Sequence, residues 1–253
     1  MSGMGPTESW SLGPQDTVIH ALERAVQAHP ERVLLDFSGE LHTYAEVDRA
    51  STRLAHAFAA LGVQAGHTVL SMLDNNVDAV LCWLAINKLR AVSVPINTAL
   101  KGDFLRHQIA DADAALVVCE AAYVERIAAI AAELPQVRQV LHRGPAAGTQ
   151  CGTLPLAPLD AHRAGPETAF ADKPNPWELA CLIYTSGTSG PSKGCMISHN
   201  YMCNLARLQL RAGPATASDV TITPLPLFHM NAMCVGVLAT LLVGARVAIV
   251  PRF

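Results

Sequence analysis

An α/β fold with mainly parallel sheets covered by helices is predicted by three observations. Apolar, strand-like segments alternate with segments of helical period along most of the chain, which is the order that builds βαβ units. Hydrophobic residues make up 51% and charged residues 15% of 253 residues, enough apolar side chains for a sizeable core and too few charges for a disordered chain. The most membrane-like stretch, 233–245, is too short to span a bilayer and is interrupted by Gly236 and Gly244, so it reads as a buried helix.

Taken in order, 15–28 shows Val18, Ile19, Leu22 and Val26 on one helix face, with Asp16 placed to cap its start. Segments 32–37 and 40–42 read as a hairpin around Ser38-Gly39. Thr43 and Glu46 form a capping-box pattern that opens a helix burying Val47, Leu54, Phe58 and Leu61 and ending at Gly62. Strand 68–73, helix 77–89, strand 91–95, helix 103–110, strand 114–119, helix 121–133 and strand 137–141 follow. From 143 to 176 the chain is rich in Pro, Gly and Ala without periodicity, the mark of a linker or surface excursion. A second series comprises strand 179–184, strand 194–197, helix 199–211, strand 220–223, helix 231–242 and strand 246–250. Residues 1–142 thus read as a first βα subdomain and 177–253 as the start of a second.

Between the first two strands of that second series lies Tyr184-Thr185-Ser186-Gly187-Thr188-Ser189-Gly190-Pro191-Ser192-Lys193-Gly194, with five aliphatic hydroxyls, three glycines and one lysine in eleven residues. Glycines let backbone N–H groups approach an anion, hydroxyls add donors, and the lysine supplies a mobile charge. A plain surface loop accounts for the glycines and serines but not for Lys193. Spacing excludes a Walker loop: counted from Gly187, Ser192 stands where the second glycine belongs and Gly194 where the metal-binding hydroxyl belongs. The Gly-x-Gly-x-x-Gly dinucleotide pattern is absent as well, and a strand rather than a helix follows Lys193.

This run resembles the phosphate-binding motif of the AMP-forming (adenylate-forming) acyl-CoA synthetase superfamily, Tyr-Thr-Ser-Gly-Thr-Thr-Gly-x-Pro-Lys-Gly, with Ser189 for a threonine and Ser192 for the proline. The block from Pro224 through Phe228, His229, Met230 and Asn231 to Ala232 resembles the family's next motif, which borders the acyl pocket. Met72 to Asn76, Asn87 to Leu89 and Val94 to Asn97 resemble its early helix-strand unit. The likeness runs from about Thr17 to the last residue and covers the family's N-terminal portion. Family members are expected to be roughly twice as long, so the chain reads as a fragment whose adenine, ribose and Mg²⁺ ligands would lie beyond Phe253.

The resemblance implies ATP-dependent activation of a small or medium carboxylic acid through an acyl-adenylate, followed by thioester formation with coenzyme A. It assigns the nucleotide phosphates to Thr185, Ser186, Gly187, Thr188, Ser189, Gly190 and Lys193, with Lys193 and His229 as catalytic candidates. His229, Met230 and Asn231 would border the acyl substrate, and Mg²⁺ would accompany the nucleotide. Two alternatives stay open: an adenylation module that loads a carrier protein, and a non-catalytic chain that binds nucleotide or acyl ligand. Without the family, His229 reads as a hydrogen-bonded histidine near a helix start.

The net charge of −3 argues against a nucleic-acid partner. Seven scattered cysteines without a C-x-x-C pair read as reduced, buried small hydrophobes in a cytoplasmic protein, and 1–15 has no secretory pattern. Ten histidines lack metal-ligand spacing, so no protein-held metal site is expected. Nothing in the pattern fixes the oligomeric state, and a homodimer stays open.

Overall fold

The computed structural model describes residues 16–146, 148–185 and 191–251. Helix α1 (Val18–Ala28) is capped by Thr17, whose hydroxyl accepts from the His20 N–H at 3.2 Å. Asp16, the expected cap, lies one residue too early and pairs with Arg24 at 2.5 Å instead. Strands β1 (Val33–Phe37) and β2 (Glu40–Thr43) form the predicted hairpin, and Ser38 and Gly39 both take positive φ, 55° and 90°, as a two-residue turn with the right twist needs.

Helix α2 (Tyr44–Ala60) opens on the predicted capping box. Thr43 Oγ1 accepts from the Glu46 N–H at 3.2 Å, and Glu46 Oε2 accepts from the Thr43 N–H at 2.7 Å. Thr43→Ala removes one acceptor from the helix start, so it is expected to lower stability by about 1 kcal/mol. A denaturant midpoint that does not move would refute this.

The remaining elements are β3 (Thr68–Met72), α3 (Val77–Lys88), β4 (Val92–Pro95), α4 (Gly102–Asp111), β5 (Ala114–Glu120), α5 (Val124–Ala128), β6 (Gln139–Arg143), β7 (Gln150–Cys151), β8 (Leu154–Pro158), β9 (Leu179–Thr185), β10 (Lys193–Ser198), α6 (His199–Ala212), β11 (Val220–Thr223), α7 (Ala239–Leu242) and β12 (Arg246–Ile249). They build an eight-stranded sheet ordered β10-β9-β4-β3-β5-β6-β8-β7 and a four-stranded sheet ordered β11-β12-β1-β2. Only the pairs β1–β2, β7–β8 and β9–β10 are antiparallel among the described residues. Each sheet draws strands from both ends of the chain: Ser93 of β4 pairs with Cys181 of β9, and Leu35 of β1 pairs with Val247 of β12. The sheets therefore do not follow the sequence division at 142 and 177.

One core lies between the sheets and holds α1, α2, α3, α6 and the helices that end at Leu242; a second covers the other face of the large sheet with α4 and α5. Helix α3 is buried on every residue but Ala79, because its apolar side chains face both layers. Its terminal Lys88 stays paired inside, giving hydrogen bonds to Asp48 Oδ1 at 2.5 Å and Thr52 Oγ1 at 2.7 Å.

Three sequence expectations change here. The 143–176 segment is not structureless: β7 and β8 extend the large sheet, and a 3-10 turn (Leu159–His162) buries Leu159 completely. Arg163 just after it gives hydrogen bonds to both oxygens of Asp78 at 2.8 and 2.9 Å, while Arg143 reaches Asp78 Oδ2 at 2.8 Å. Burial alone would raise the Asp78 pKa, but the two guanidinium groups outweigh it and hold the carboxyl below its usual range. Helix 121–133 is broken into 3-10, α and 3-10 pieces around α5. Helix 231–242 starts as a π-helix (Asn231–Leu238) and becomes α only in α7.

Six of the seven free cysteines are buried as expected, and Cys195 is exposed on the edge strand β10. No helix among the described residues is long and apolar enough to cross a membrane.

Candidate functional site

Strands β9 and β10 carry the glycine-rich run between them. Lys193, the first residue of β10, lies in register with Thr185, the last of β9, and both are exposed. Ser186, Gly187, Thr188, Ser189 and Gly190 lie outside the described residues.

Both arms of the run are braced. On the β9 arm, the Tyr184 hydroxyl donates to Asp111 Oδ2 at 2.6 Å, and its ring covers Gly194 so closely that a Cβ there would lie 3.3 Å from Cζ. Burial first, then the Asp111 carboxylate, push the Tyr184 pKa up, so the phenol stays a donor. On the other arm, α4 reaches across: His107 Nε2 donates to the Ser192 carbonyl at 2.8 Å, and Gln108 Nε2 donates to Ser192 Oγ at 3.0 Å. Ser192 stands where the resembled motif has proline. Two side-chain bonds restrain this position where a pyrrolidine ring would fix φ.

A cavity of about 290 Å³ opens beside these arms, at the carboxyl end of β4, with Asn97, Phe104, Tyr184, Thr185, Ser192 and His229 in its walls. The crevice outside the carboxyl ends of parallel strands is where open α/β sheets bind ligands. His229 is exposed, its ring centroid lies 4.5 Å from that of Phe228, and its N–H donates to the Pro226 carbonyl at 3.0 Å. A turn over 226–229 thus sets the ring at the mouth of the π-helix.

Of the residues singled out from sequence, Thr185 and His229 share this cavity, and Lys193 sits one residue beyond Ser192 and opposite Thr185. Met230 is half-buried, its Sδ accepting from the Cys234 thiol at 3.0 Å. Asn231 faces elsewhere, in the wall of a cavity of about 180 Å³ shared with Leu210 of α6 and Thr223 of β11. Sequence reasoning missed His107, Gln108 and Asp111 as braces. The one available signal was the hydroxyl at Ser192, a polar side chain where the motif needs none.

A larger cavity, about 430 Å³, adjoins the first through Phe228 and contains Asp74, Tyr123 and Arg126. The Tyr123 hydroxyl donates to Asp74 Oδ1 at 2.8 Å, and the Arg126 guanidinium lies 4.5 Å from the Tyr123 ring centre, within cation–π range.

Among the described residues no group of three or more His, Cys, Asp or Glu could hold a metal ion. The walls of the 290 Å³ cavity contain no carboxylate. The described walls of this cavity thus offer a magnesium ion none of the carboxylate oxygens it takes.

A family profile described as AMP-binding enzyme matches residues 22–253. The chain is similar to human (Homo sapiens) long-chain fatty acid transport protein 5, with 32% identity over 96% of this chain and 37% of the relative. It is 30% identical to 4-coumarate–CoA ligase 5 of rice (Oryza sativa subsp. japonica), over 92% of this chain and 43% of the relative. In structure it resembles the anthranilate CoA ligase AuaEII, solved in complex with anthranoyl-AMP, with a TM-score of 0.89 and 23% identity over 97% of this chain and 47% of that one; this last likeness speaks to the fold. The chain spans about two fifths of the length of the two curated relatives. With the profile covering all but the first residues, the chain belongs to the AMP-binding enzyme family.

Proposed function

We propose that the 290 Å³ cavity activates a small or medium carboxylic acid with ATP and passes the acyl group to the thiol of coenzyme A. One observation carries this reading: Thr185 and His229, which come from separate motifs, share one cavity whose far arm leads into Lys193. The name of the rice relative supports the ligase class.

In the proposed reaction, a carboxylate oxygen attacks the α-phosphorus of ATP. The bond from that phosphorus to the bridging oxygen breaks, its electron pair leaves on pyrophosphate, and an acyl-adenylate remains. Charge accumulates on the departing pyrophosphate, so the Lys193 ammonium and the backbone N–H groups of the glycine-rich run would stabilise the transition state more than the ground state. His229 would orient the acid through a hydrogen bond from its imidazole. The thiol then attacks the acyl carbon and AMP leaves. Seven unpaired cysteines, six of them buried, suit a reducing cytoplasm as the setting.

The test is acid-dependent exchange of pyrophosphate into ATP, run over a panel of carboxylic acids with this chain alone and with this chain joined to further residues of a relative. Lys193→Ala is expected to reduce exchange by roughly ten- to a hundredfold, the effect of one charge-assisted hydrogen bond. Exchange that is indifferent to this substitution would sink the assignment.

A further inference from the structure

Asn75 lies in the turn between β3 and α3, is 7% exposed, and spends its whole carboxamide on residues far away in sequence. Nδ2 donates to the Leu225 carbonyl at 3.0 Å and to the Val250 carbonyl at 3.0 Å, while Oδ1 accepts from the Leu227 N–H at 2.8 Å. The reason lies in the segment it serves. Pro224 and Pro226 have no N–H, so this stretch forms no regular ladder, yet Leu227 is 2% exposed and its N–H needs a partner. The Asn75 amide takes the place of a neighbouring strand, accepting at Leu227 and donating two residues earlier at Leu225. Its second N–H ties both to the residue after β12. A carboxamide has two donors and one acceptor oxygen. Aspartate lacks the donors, and leucine lacks everything but the volume.

We propose that Asn75 is a positioning residue, which clamps 225–227 against the end of β12 and thereby fixes where Phe228 and His229 enter the 290 Å³ cavity. The inference rests on reading that cavity as the acid-activating site. The clamp is one-sided. The opposite wall, Thr185 and Ser192, is held by Asp111 through Tyr184 and by His107 and Gln108, none of which bonds to Asn75. Losing the clamp should displace the His229 wall and leave the Lys193 wall in place.

Two variants test this. Asn75→Ala removes all three bonds; Asn75→Asp keeps the Leu227 bond, replaces the donors by a carboxylate facing two carbonyls, and regains one donor when protonated. Hydrogen exchange on this chain should show the Leu227 amide exchanging roughly a hundredfold faster in Asn75→Ala, with the α3 amides unchanged. In pyrophosphate exchange, kcat/KM for the acid should fall by roughly a hundredfold, as expected for a reacting group displaced by about 1 Å, while KM for ATP stays within about twofold. Asn75→Asp should recover activity relative to wild type as the pH falls.

Parallel loss of ATP and acid kinetics, unchanged Leu227 exchange, or an Asn75→Asp profile that tracks wild type would overturn the proposal. If Asn75→Ala does not fold, Asn75→Asp carries the test through its acid and ATP kinetics and its pH profile, since it keeps the Leu227 bond. A wild-type chain that shows no acid-dependent exchange in either form would sink the ligase reading, and Leu227 exchange would still decide the clamp.

Discussion

Gly152→Ala is expected to destabilise the protein by about 3 kcal/mol, which for a chain of this size lowers Tm by about 8 °C. Two penalties add. Gly152 has φ +61° in the turn between β7 and β8, where an L side chain costs about 1–2 kcal/mol. A Cβ there would also lie 2.6 Å from the Ala128 carbonyl oxygen and 2.8 Å from Ala131 Cβ. The first of these is backbone, so it cannot rotate away, and overpacking of this kind costs about 1–3 kcal/mol. Gly148→Ala is the control: its φ is +84°, and nothing lies within 4 Å of a Cβ placed there. It should show the backbone penalty alone, and equal losses in the two variants would refute the packing argument.

Acidification should weaken the fold through His199, and the expected loss is again about 3 kcal/mol. This histidine begins α6, is 0% exposed, and neither ring nitrogen has a hydrogen-bond partner. Burial pulls its pKa down from 6.5 to about 4, with His20 adding to the depression and Glu178 opposing it. Between those two values the unfolded chain binds a proton that the folded chain refuses. Unfolding is therefore favoured progressively as pH falls from about 6.5 to 4, while above 6.5 His199 contributes no pH dependence.

Glu178 acts in a lower window. Arg90, through hydrogen bonds at 3.0 and 2.6 Å, holds the Glu178 carboxyl below its ordinary value. The stability it contributes is present above the unfolded carboxylate range and is lost only as pH drops through its folded value. Denaturant midpoints at several pH values separate the two. His199→Phe should flatten the curve between pH 6.5 and 4.5 and leave the fall below it. A slope that survives in that variant would assign the acid sensitivity elsewhere.

Local signals were legible from sequence wherever one residue type does one job. Thr43 and Glu46 announced the start of α2, and Ser38-Gly39 announced the hairpin. What was not legible is non-local. Nothing near Leu35 says that it pairs with Val247 rather than with a strand close in sequence, and register over such a separation is settled by the packed core, not by propensity. The strands of 143–176 escaped because β7 has only two residues and β8 contains two prolines, Pro155 and Pro158, which read as turn signals unless the strand lies toward an edge.

The site was half legible for a related reason. The chemistry of the glycine-rich run pointed to Thr185 and Lys193, whose hydroxyl and ammonium suit an anion, and the family resemblance added His229. His107, Gln108 and Asn75 matter only through the backbone groups they hold, which no single-chain pattern reveals. Asn231 differs: the family resemblance set it beside His229 at the acyl substrate, and it lines the neighbouring 180 Å³ cavity instead.

Strand β12, the parallel partner of β1, is made long after it. Because β1 waits for β12, a ribosome adding about 5–20 residues per second leaves that edge open for roughly 10–40 s. During this interval the apolar side of the early hairpin has no permanent cover, and α3 lacks one of its two roofs. Productive maturation should thus depend on a holding chaperone early in translation, and a synthesis pause placed before residue 246 should raise the aggregated fraction more than one of equal length placed near residue 60.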